Sequence, residues 1–338
     1  GYCDENEADY LDEVARDIPA TRIAGLGRSV SPLADLKAFL GLIKTIREFN
    51  PDVIHTHTAK AGVLGRIASI VAGRKAIRIH TFHGHLLHGY FAKWKTSLII
   101  TIEKFLARRT NYLIAIGNEV ERDLLAAGIG KTNQYRTFFP GLPQPKELQK
   151  SAARAELELN NSILYCTFVG RLTAIKRPDR LLDIAAQMLA RHENIHFLIA
   201  GEGELFAESK ARAESEKLPV TFLGWRKDID LIFAASDIAI LTSDNEGIPL
   251  TLIQAAQAGL PIVAPAVGSI SDIVEDGVTG LLSVPTASAM AASLSTLING
   301  ENLREKMGAA GKLRALEFFS LSRMLRDHTD IYHLAHNK

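Results

Sequence analysis

A chain of 338 residues with 47% hydrophobic and 23% charged residues has the balance of a globular protein with apolar material for two cores, and its length favours two domains. That composition excludes a disordered chain, a collagen-like repeat and a disulfide scaffold; with only Cys3 and Cys166, a reducing, cytoplasmic setting is expected. The net charge is +1, but residues 51–150 carry 15 Lys and Arg against 6 Asp and Glu, a block suited to a phosphate-bearing substrate, an anionic membrane face or plain solvent.

The chain opens on an acidic helical pattern, Asp4–Asp17, followed by a weak strand candidate, Thr21–Leu26. A doubly wound domain ordinarily opens with a buried strand and a tight turn into a helix, so the front of the first domain is expected to be missing. Neither a signal peptide nor the roughly 18–20 apolar residues of a membrane span is visible.

From there short apolar runs alternate with amphipathic stretches. Strands are predicted at Asp52–Thr56, Ile77–Phe82, Tyr112–Ile116, Ile163–Val169, His196–Ala200, Val220–Leu223, Ile238–Leu241 and Pro261–Ala264. Several are almost continuously apolar, as strands buried on both faces of a parallel sheet are. Helices are predicted at Leu33–Phe49, Ala59–Val71, Tyr90–Arg109, Glu119–Ala127, Arg180–Arg191, Leu205–Lys217 and Leu250–Ala258. Such alternation means βαβ units and a doubly wound α/β fold. Three prolines and a glycine in Phe139–Pro145 read as the interdomain linker. The domains are therefore set at 1–143, 144–319 and a final helix, 320–338, with Met324, Leu325, Ile331 and Leu334 on one stripe. Two such domains place a cleft between them at the carboxyl ends of both sheets.

Three clusters could carry chemistry. In Ser243-Asp244-Asn245-Glu246-Gly247-Ile248-Pro249-Leu250 a strand ends and a helix starts at Pro249, a good first helical position. The free amides there suit phosphate or sugar oxygens, and Gln254, two helical turns on, could reach the same place. An ordinary strand–turn–helix with Glu246 favoured by the helix dipole is the alternative. Gly170-Arg171-Leu172-Thr173-Ala174-Ile175-Lys176-Arg177-Pro178 follows another strand end; its cations would meet a diphosphate, or simply solvent. His55, His57, His80, His83, His85 and His88 form the third. They read as a zinc site, though the spacings match no standard ligand set, as polar core residues, or as substrate-facing groups, with His83 placed best just beyond its strand. Gly201-Glu202-Gly203 lacks the third glycine of a dinucleotide fingerprint. The helix Tyr90–Arg109 has an apolar stripe of Phe91, Leu98, Ile99, Ile102 and Leu106 beside five cations, fitting a core-facing helix or one lying on an anionic membrane.

Together these residues resemble the retaining GT-B glycosyltransferases of family 4. Glu246-Gly247-Ile248-Pro249 with the tail Gln254–Ala264 matches the family's Glu-x7-Glu signature, except that Gln254 stands where the second Glu would be. Gly170-Arg171-Leu172 with Lys176 matches its diphosphate-binding element. His55-Thr56-His57-Thr58-Ala59-Lys60-Ala61-Gly62 followed by Thr81-Phe82-His83-Gly84 resembles the subgroup that builds cell-surface polysaccharides, and Phe222-Leu223-Gly224-Trp225 the strand beside the nucleobase. The resemblance implies two Rossmann-like domains, an acceptor-side one and then a nucleotide-sugar one, with the final helix returning to the first. It implies transfer from a nucleotide sugar, taken as a UDP-sugar, to a lipid-linked or growing surface glycan. Arg171 and Lys176 would hold the donor diphosphate, Glu246 the sugar, Gly247, Ile248, Pro249 and Leu250 its hydroxyls or phosphates through amides, and Gln254 the ribose. His83 would lie near the anomeric carbon. No metal or other cofactor and no nucleic acid is implied; the expected location is cytoplasmic, either free or peripheral on the inner face of the membrane. A non-catalytic nucleotide-sugar-binding module is the alternative that Gln254 and the missing front suggest.

Overall fold

The computed structural model describes residues 19–27, 30–73, 75–84, 93–191 and 193–336. The Asp4–Asp17 pattern, His85, His88 and Phe91 lie outside them. The chain divides into two compact units, one of Gly1–Ile116, Glu121–Thr137 and His328–Lys338, the other of Gly117–Val120 and Phe138–Asp327.

In the first unit the elements run α1 (Pro32–Phe49), β1 (Val53–His57), α2 (Ala59–Val71), β2 (Ile77–Phe82), α3 (Lys93–Ala107), β3 (Tyr112–Ala115), α4 (Asn118–Ala126) and β4 (Tyr135–Thr137). The four strands are all parallel and stand in the order β1-β2-β3-β4. α1 starts with Pro32 in its first turn and stops at Asn50, whose left-handed conformation ends the helix. Every residue of β3 is buried, which is why this strand reads as an unbroken apolar run. Thr21–Leu26 is not a strand: the chain turns at residues 24–25 instead.

The second unit contains α5 (Lys150–Glu156), β5 (Leu164–Val169), α6 (Pro178–Ala190), β6 (Ile195–Ala200), α7 (Phe206–Ser215), β7 (Val220–Gly224), α8 (Ile229–Ala235), β8 (Ile238–Ile240), α9 (Leu250–Gln257), β9 (Ile262–Pro265), α10 (Ile270–Ile273), β10 (Gly280–Ser283), α11 (Ala287–Asn299) and α12 (Glu301–Phe318). Its six parallel strands take the order β10-β9-β8-β5-β6-β7. From β5 the chain winds outward one way to β7, then returns to lay β8 on the other side of β5. That reversal is the topological switch point where open α/β sheets bind ligands.

The last helix, α13 (Leu321–His336), counts with the second unit through Asp327 and with the first from His328. The expected stripe on it is only partly buried: Ile331 is covered, whereas Leu325 and Leu334 are about half exposed. The proline-rich segment at 139–145 is not a free linker. Leu142 donates its amide to Phe319 and accepts from Leu321, so the segment is pinned within the second unit.

Hydrophobic periodicity does not mark α12, because the face it buries is Met307, Gly308, Gly311 and Ala315. A Cβ on Gly308 would come within 2.0 Å of the Gly259 carbonyl oxygen, so a glycine is what lets the helix approach the end of α9. Small residues carry that packing, and they leave little apolar signal in the sequence.

Candidate functional site

In the second unit two loops leave adjacent strands at the switch point. After β5 comes Gly170–Arg177, and after β8 comes Leu241–Pro249. They are stitched together: the Asp244 amide donates to Ile175 O at 2.9 Å and Thr242 Oγ1 to Lys176 O at 2.8 Å. Lys176 Nζ donates to Glu246 Oε1 at 2.5 Å, and Ser243 Oγ donates to that same oxygen at 2.5 Å. Glu246 is buried while Arg171 is exposed, so the loops present one open cation beside a neutralised pair.

The first loop owes its shape to Gly201-Glu202-Gly203. Leu172 donates its amide to Glu202 O, Leu205 donates to Leu172 O, and Gly170 donates to Ala200 O. Gly201 has φ +140, and a Cβ there would lie 1.9 Å from Gly170 O. The glycines are thus a bracket for the Gly170–Leu172 turn, a structural reason for a pattern that only partly matched a dinucleotide fingerprint.

Two expectations are corrected in the second loop. α9 begins at Leu250, with Pro249 outside it as the cap in extended conformation. Proline has no N–H, so the donors of this stretch are the amides of Gly247, Ile248 and Leu250. Gln254 is the fifth residue of α9 and half-buried, one turn from the helix start rather than two. It is Gln257, buried, that reaches back to Leu142 O.

Arg180 escapes the sequence reading altogether. It sits in the first turn of α6, where a basic residue reads as solvated, yet it is buried. One nitrogen, Nη1, donates to Thr242 O at 2.5 Å and Nη2 donates to Asp244 at 2.6 Å. Arg177 donates to Asp244 as well. Burial opposes the Asp244 charge, but the bonds from Arg180 and Arg177 win and hold its carboxyl below the usual range.

In the first unit, strand alternation sorts the histidines. His80 points into the core, where its Nδ1 bonds Thr56 Oγ1 at 2.9 Å and its ring meets Phe82 edge-on. It is a satisfied core histidine. His55 and His57 project together, their ring centroids 4.2 Å apart. His83 follows β2, and its Nε2 lies 2.9 Å from His57 Nδ1. Among the described residues no three His, Cys, Asp or Glu side chains are grouped to hold a metal ion.

All these rings are held neutral. Burial first, then the nearby charge of Arg66, pushes His80 down to about 2. Burial and then neighbouring rings push His55 down to about 3 and His57 to about 4. In an unfolded chain each would titrate near its ordinary value of about 6.5. The unfolded state therefore binds more protons below that pH, so this stability is fully present above 6.5 and is lost as pH falls through the folded values. For His80 the slope is at most about 1.4 kcal/mol per pH unit. The unfolding midpoint is expected to fall between about pH 6.5 and 4.5, and His80→Gln, which keeps a polar group toward Thr56 but cannot titrate, should flatten that limb. Thermal melts of both proteins across this window check it; equal slopes would remove His80 as the cause.

On α3 the expected buried stripe is only half present. Leu106 is fully covered, but Trp94 (66%), Leu98 (54%) and Phe105 (50%) are exposed on one face. Lys95 lies over Trp94 and Arg109 over Phe105. The helix instead buries Glu103, which takes both oxygens to Arg66 Nη2 at 2.7 and 2.8 Å. No helix among the described residues is long and apolar enough to cross a membrane.

Comparison with known proteins follows the same division. The family described as "Glycosyl transferases group 1" matches residues 149–314, and "Glycosyl transferase 4-like domain" matches residues 2–137. The chain is 28% identical over 284 residues to an Escherichia coli UDP-Gal:alpha-D-GlcNAc-diphosphoundecaprenol alpha-1,3-galactosyltransferase, covering 81% of this chain and 72% of that one. It is 25% identical over 327 residues to the Staphylococcus aureus capsular polysaccharide biosynthesis glycosyltransferase CapM, covering 92% and 82%. Its fold matches that of Anabaena HepE, solved in complex with UDP, with a TM-score of 0.78 at 23% identity over 91% of this chain and 85% of that one. Two parallel α/β sheets, a switch point in the second and a family match over each half lead to one conclusion: the chain belongs to the family 4 glycosyltransferases of GT-B fold.

Proposed function

We propose that this glycosyltransferase is a retaining one that moves a sugar from a UDP-sugar to a lipid-linked or growing surface glycan. One observation carries this: the Arg171–Lys176 loop and the Glu246–Leu250 loop meet at the switch point, bonded through Lys176 and Glu246. A diphosphate bound there meets two cations and a set of backbone amides. As the nucleotide departs, its growing negative charge develops against groups already in place. Arg171 holds the diphosphate through paired N–H donors and Lys176 as a point charge. Gly247, Ile248 and Leu250 donate amides, Pro249 shapes their turn, and Glu246 takes sugar hydroxyls. Gln254 bonds the ribose, and His83 acts on the transferred sugar. The protein's own cations neutralise the leaving group, so no metal or other cofactor is required, and nucleic acid is not a partner.

The UDP part draws on HepE, solved with UDP and with UDP-glucose. The acceptor draws on the Escherichia coli relative, whose name specifies a diphosphoundecaprenol carrier. The second unit is the donor side and the first the acceptor side. Exposed Trp94, Leu98 and Phe105 among Lys95, Lys104, Arg108 and Arg109 support α3 as the face that meets an anionic membrane holding such an acceptor, and with it a cytoplasmic-face enzyme as part of this reading.

One assay tests both parts. The protein is given UDP- and GDP-sugars with a polyprenyl-diphosphate-linked sugar in anionic or neutral vesicles. Release of UDP and a product of retained anomeric configuration are expected, unchanged by chelator. GDP-sugar use alone, or inversion, would overturn the donor and stereochemical assignments. Turnover should drop in neutral vesicles, and in anionic ones at about 1 M salt, where the Debye length is about 3 Å. Indifference to lipid charge would leave α3 as scaffold.

A further inference from the structure

The histidines of the first unit are built outward from the sheet as a connected row. His55 is locked at both nitrogens: Nδ1 bonds the Tyr332 hydroxyl at 2.7 Å and Nε2 bonds Thr81 Oγ1 at 2.7 Å. Tyr332 lies on α13 and Thr81 on β2, so two further elements hold a residue of β1. His328, also on α13, stacks on the same ring at 6.2 Å. His57 rests on His55 and in turn meets His83, with ring centroids 5.1 Å apart. His57 and His83 are both exposed, so the far end of the row is open to a ligand while its root is fixed.

We propose that His57 is a positioning residue for His83: the hydrogen bond between His57 Nδ1 and His83 Nε2 fixes the ring plane and couples the tautomer that His83 presents to the sugar to that of His57. A bond between two neutral imidazoles needs one N–H and one lone pair. If His83 Nε2 carries the proton, its Nδ1 is a bare acceptor; if His57 donates, His83 Nδ1 carries the proton and donates. Either way the bond to His57 decides the character of the other nitrogen, as the partner of one ring nitrogen does in general. Loss of water around the rings shifts His57 and His83 below their ordinary values, which favours the neutral rings that this bond needs. His83 alone stands one residue past β2 with no strand partner to orient it, which is why the neighbour matters.

The inference rests on the reading that His83 acts in the transfer, and the test separates the two. Rates are measured for His57→Ala, His57→Asn, His83→Ala and the double alanine variant, with donor KM and thermal unfolding alongside. His57→Ala is expected to lower kcat roughly tenfold to a hundredfold, by analogy with the loss when the partner orienting a metal-binding imidazole is removed. Donor KM and unfolding temperature should stay near wild type, because His57 is exposed. His57→Asn, which can present either a donor or an acceptor near the Nδ1 position, should recover part of the loss. The double variant should be no slower than His83→Ala, because a residue acting through another has nothing left to position. Nitrogen NMR of labelled histidine should show that the tautomer ratio of His83 changes between the wild type and His57→Ala.

A normal rate for His57→Ala beside a slow His83→Ala would overturn the inference and leave His83 standing. Losses that multiply in the double variant, or an unchanged tautomer, would also overturn it. A normal rate for His83→Ala would instead overturn the assignment of His83 itself.

Discussion

Arg171→Ala is expected to weaken UDP binding by about 1.5–3 kcal/mol, the worth of a hydrogen bond to a charged group, and to leave stability unchanged. Arg171 is exposed near the start of its loop, so the fold is not expected to depend on its side chain. Lys176→Ala is expected to lose as much affinity and to lose stability too. Its ammonium is bonded to Glu246, whose side chain is only 9% exposed, and deleting it strands a carboxylate that then relies on Ser243. Adding Glu246→Gln to Lys176→Ala should return the stability but not the UDP affinity, since the amide needs no cation. Uridine, which lacks the phosphates, should bind all these proteins alike. Calorimetric titration with UDP and uridine, paired with melts, gives the answer. Equal losses for the two ligands would remove the diphosphate from this loop.

The largest stability effect is expected at a pair remote from this loop, Arg66 and Glu103, whose side chains are 1% and 2% exposed. Burial drives the Glu103 carboxyl up and the Arg66 guanidinium down, each against the pull of the other. Taking one partner away leaves an uncompensated charge in the core, which costs about 3–5 kcal/mol. Arg66 also donates Nε to Gly62 O, and its Nη1 has no partner among the described residues. Glu103→Leu and Arg66→Met should therefore each be severely destabilising. The double variant, which removes both charges and fills the space with carbon, should fall far short of the summed cost and lie near wild type. Urea unfolding of the four proteins measures the coupling. Additive losses would mean that the pair is worth no more than its packing.

Much of the fold was legible because it follows from local rules. β2 and α2 have the bounds that apolar runs and helical spacing assign them, and the continuous apolar strands announced parallel sheets buried on both faces. Alternation along β1 already put His55 and His57 on one side. Loops after strand ends, rich in glycine, cations and a carboxylate, were legible as the segments that stand at the carboxyl edge of the sheet.

What the sequence could not show is which distant residues meet. Lys176 and Glu246 are 70 positions apart and touch because β8 returns to β5 after the sheet has run out to β7. His55 and Tyr332 are 277 apart, and only the return of the last helix joins them. Arg66 and Arg180 could not be recognised as buried because a single sequence displays a charge and not its partner; their carboxylates, Glu103 and Asp244, come from other elements. α12 stayed unmarked because its buried face is glycine and alanine. Local chemistry determined the strands, the helices and the glycine-bearing loops that follow the strand ends of this protein. Its ion pairs, its histidine row and its small-residue helix packing were decided by tertiary structure, since each depends on contacts that only chain crossovers create.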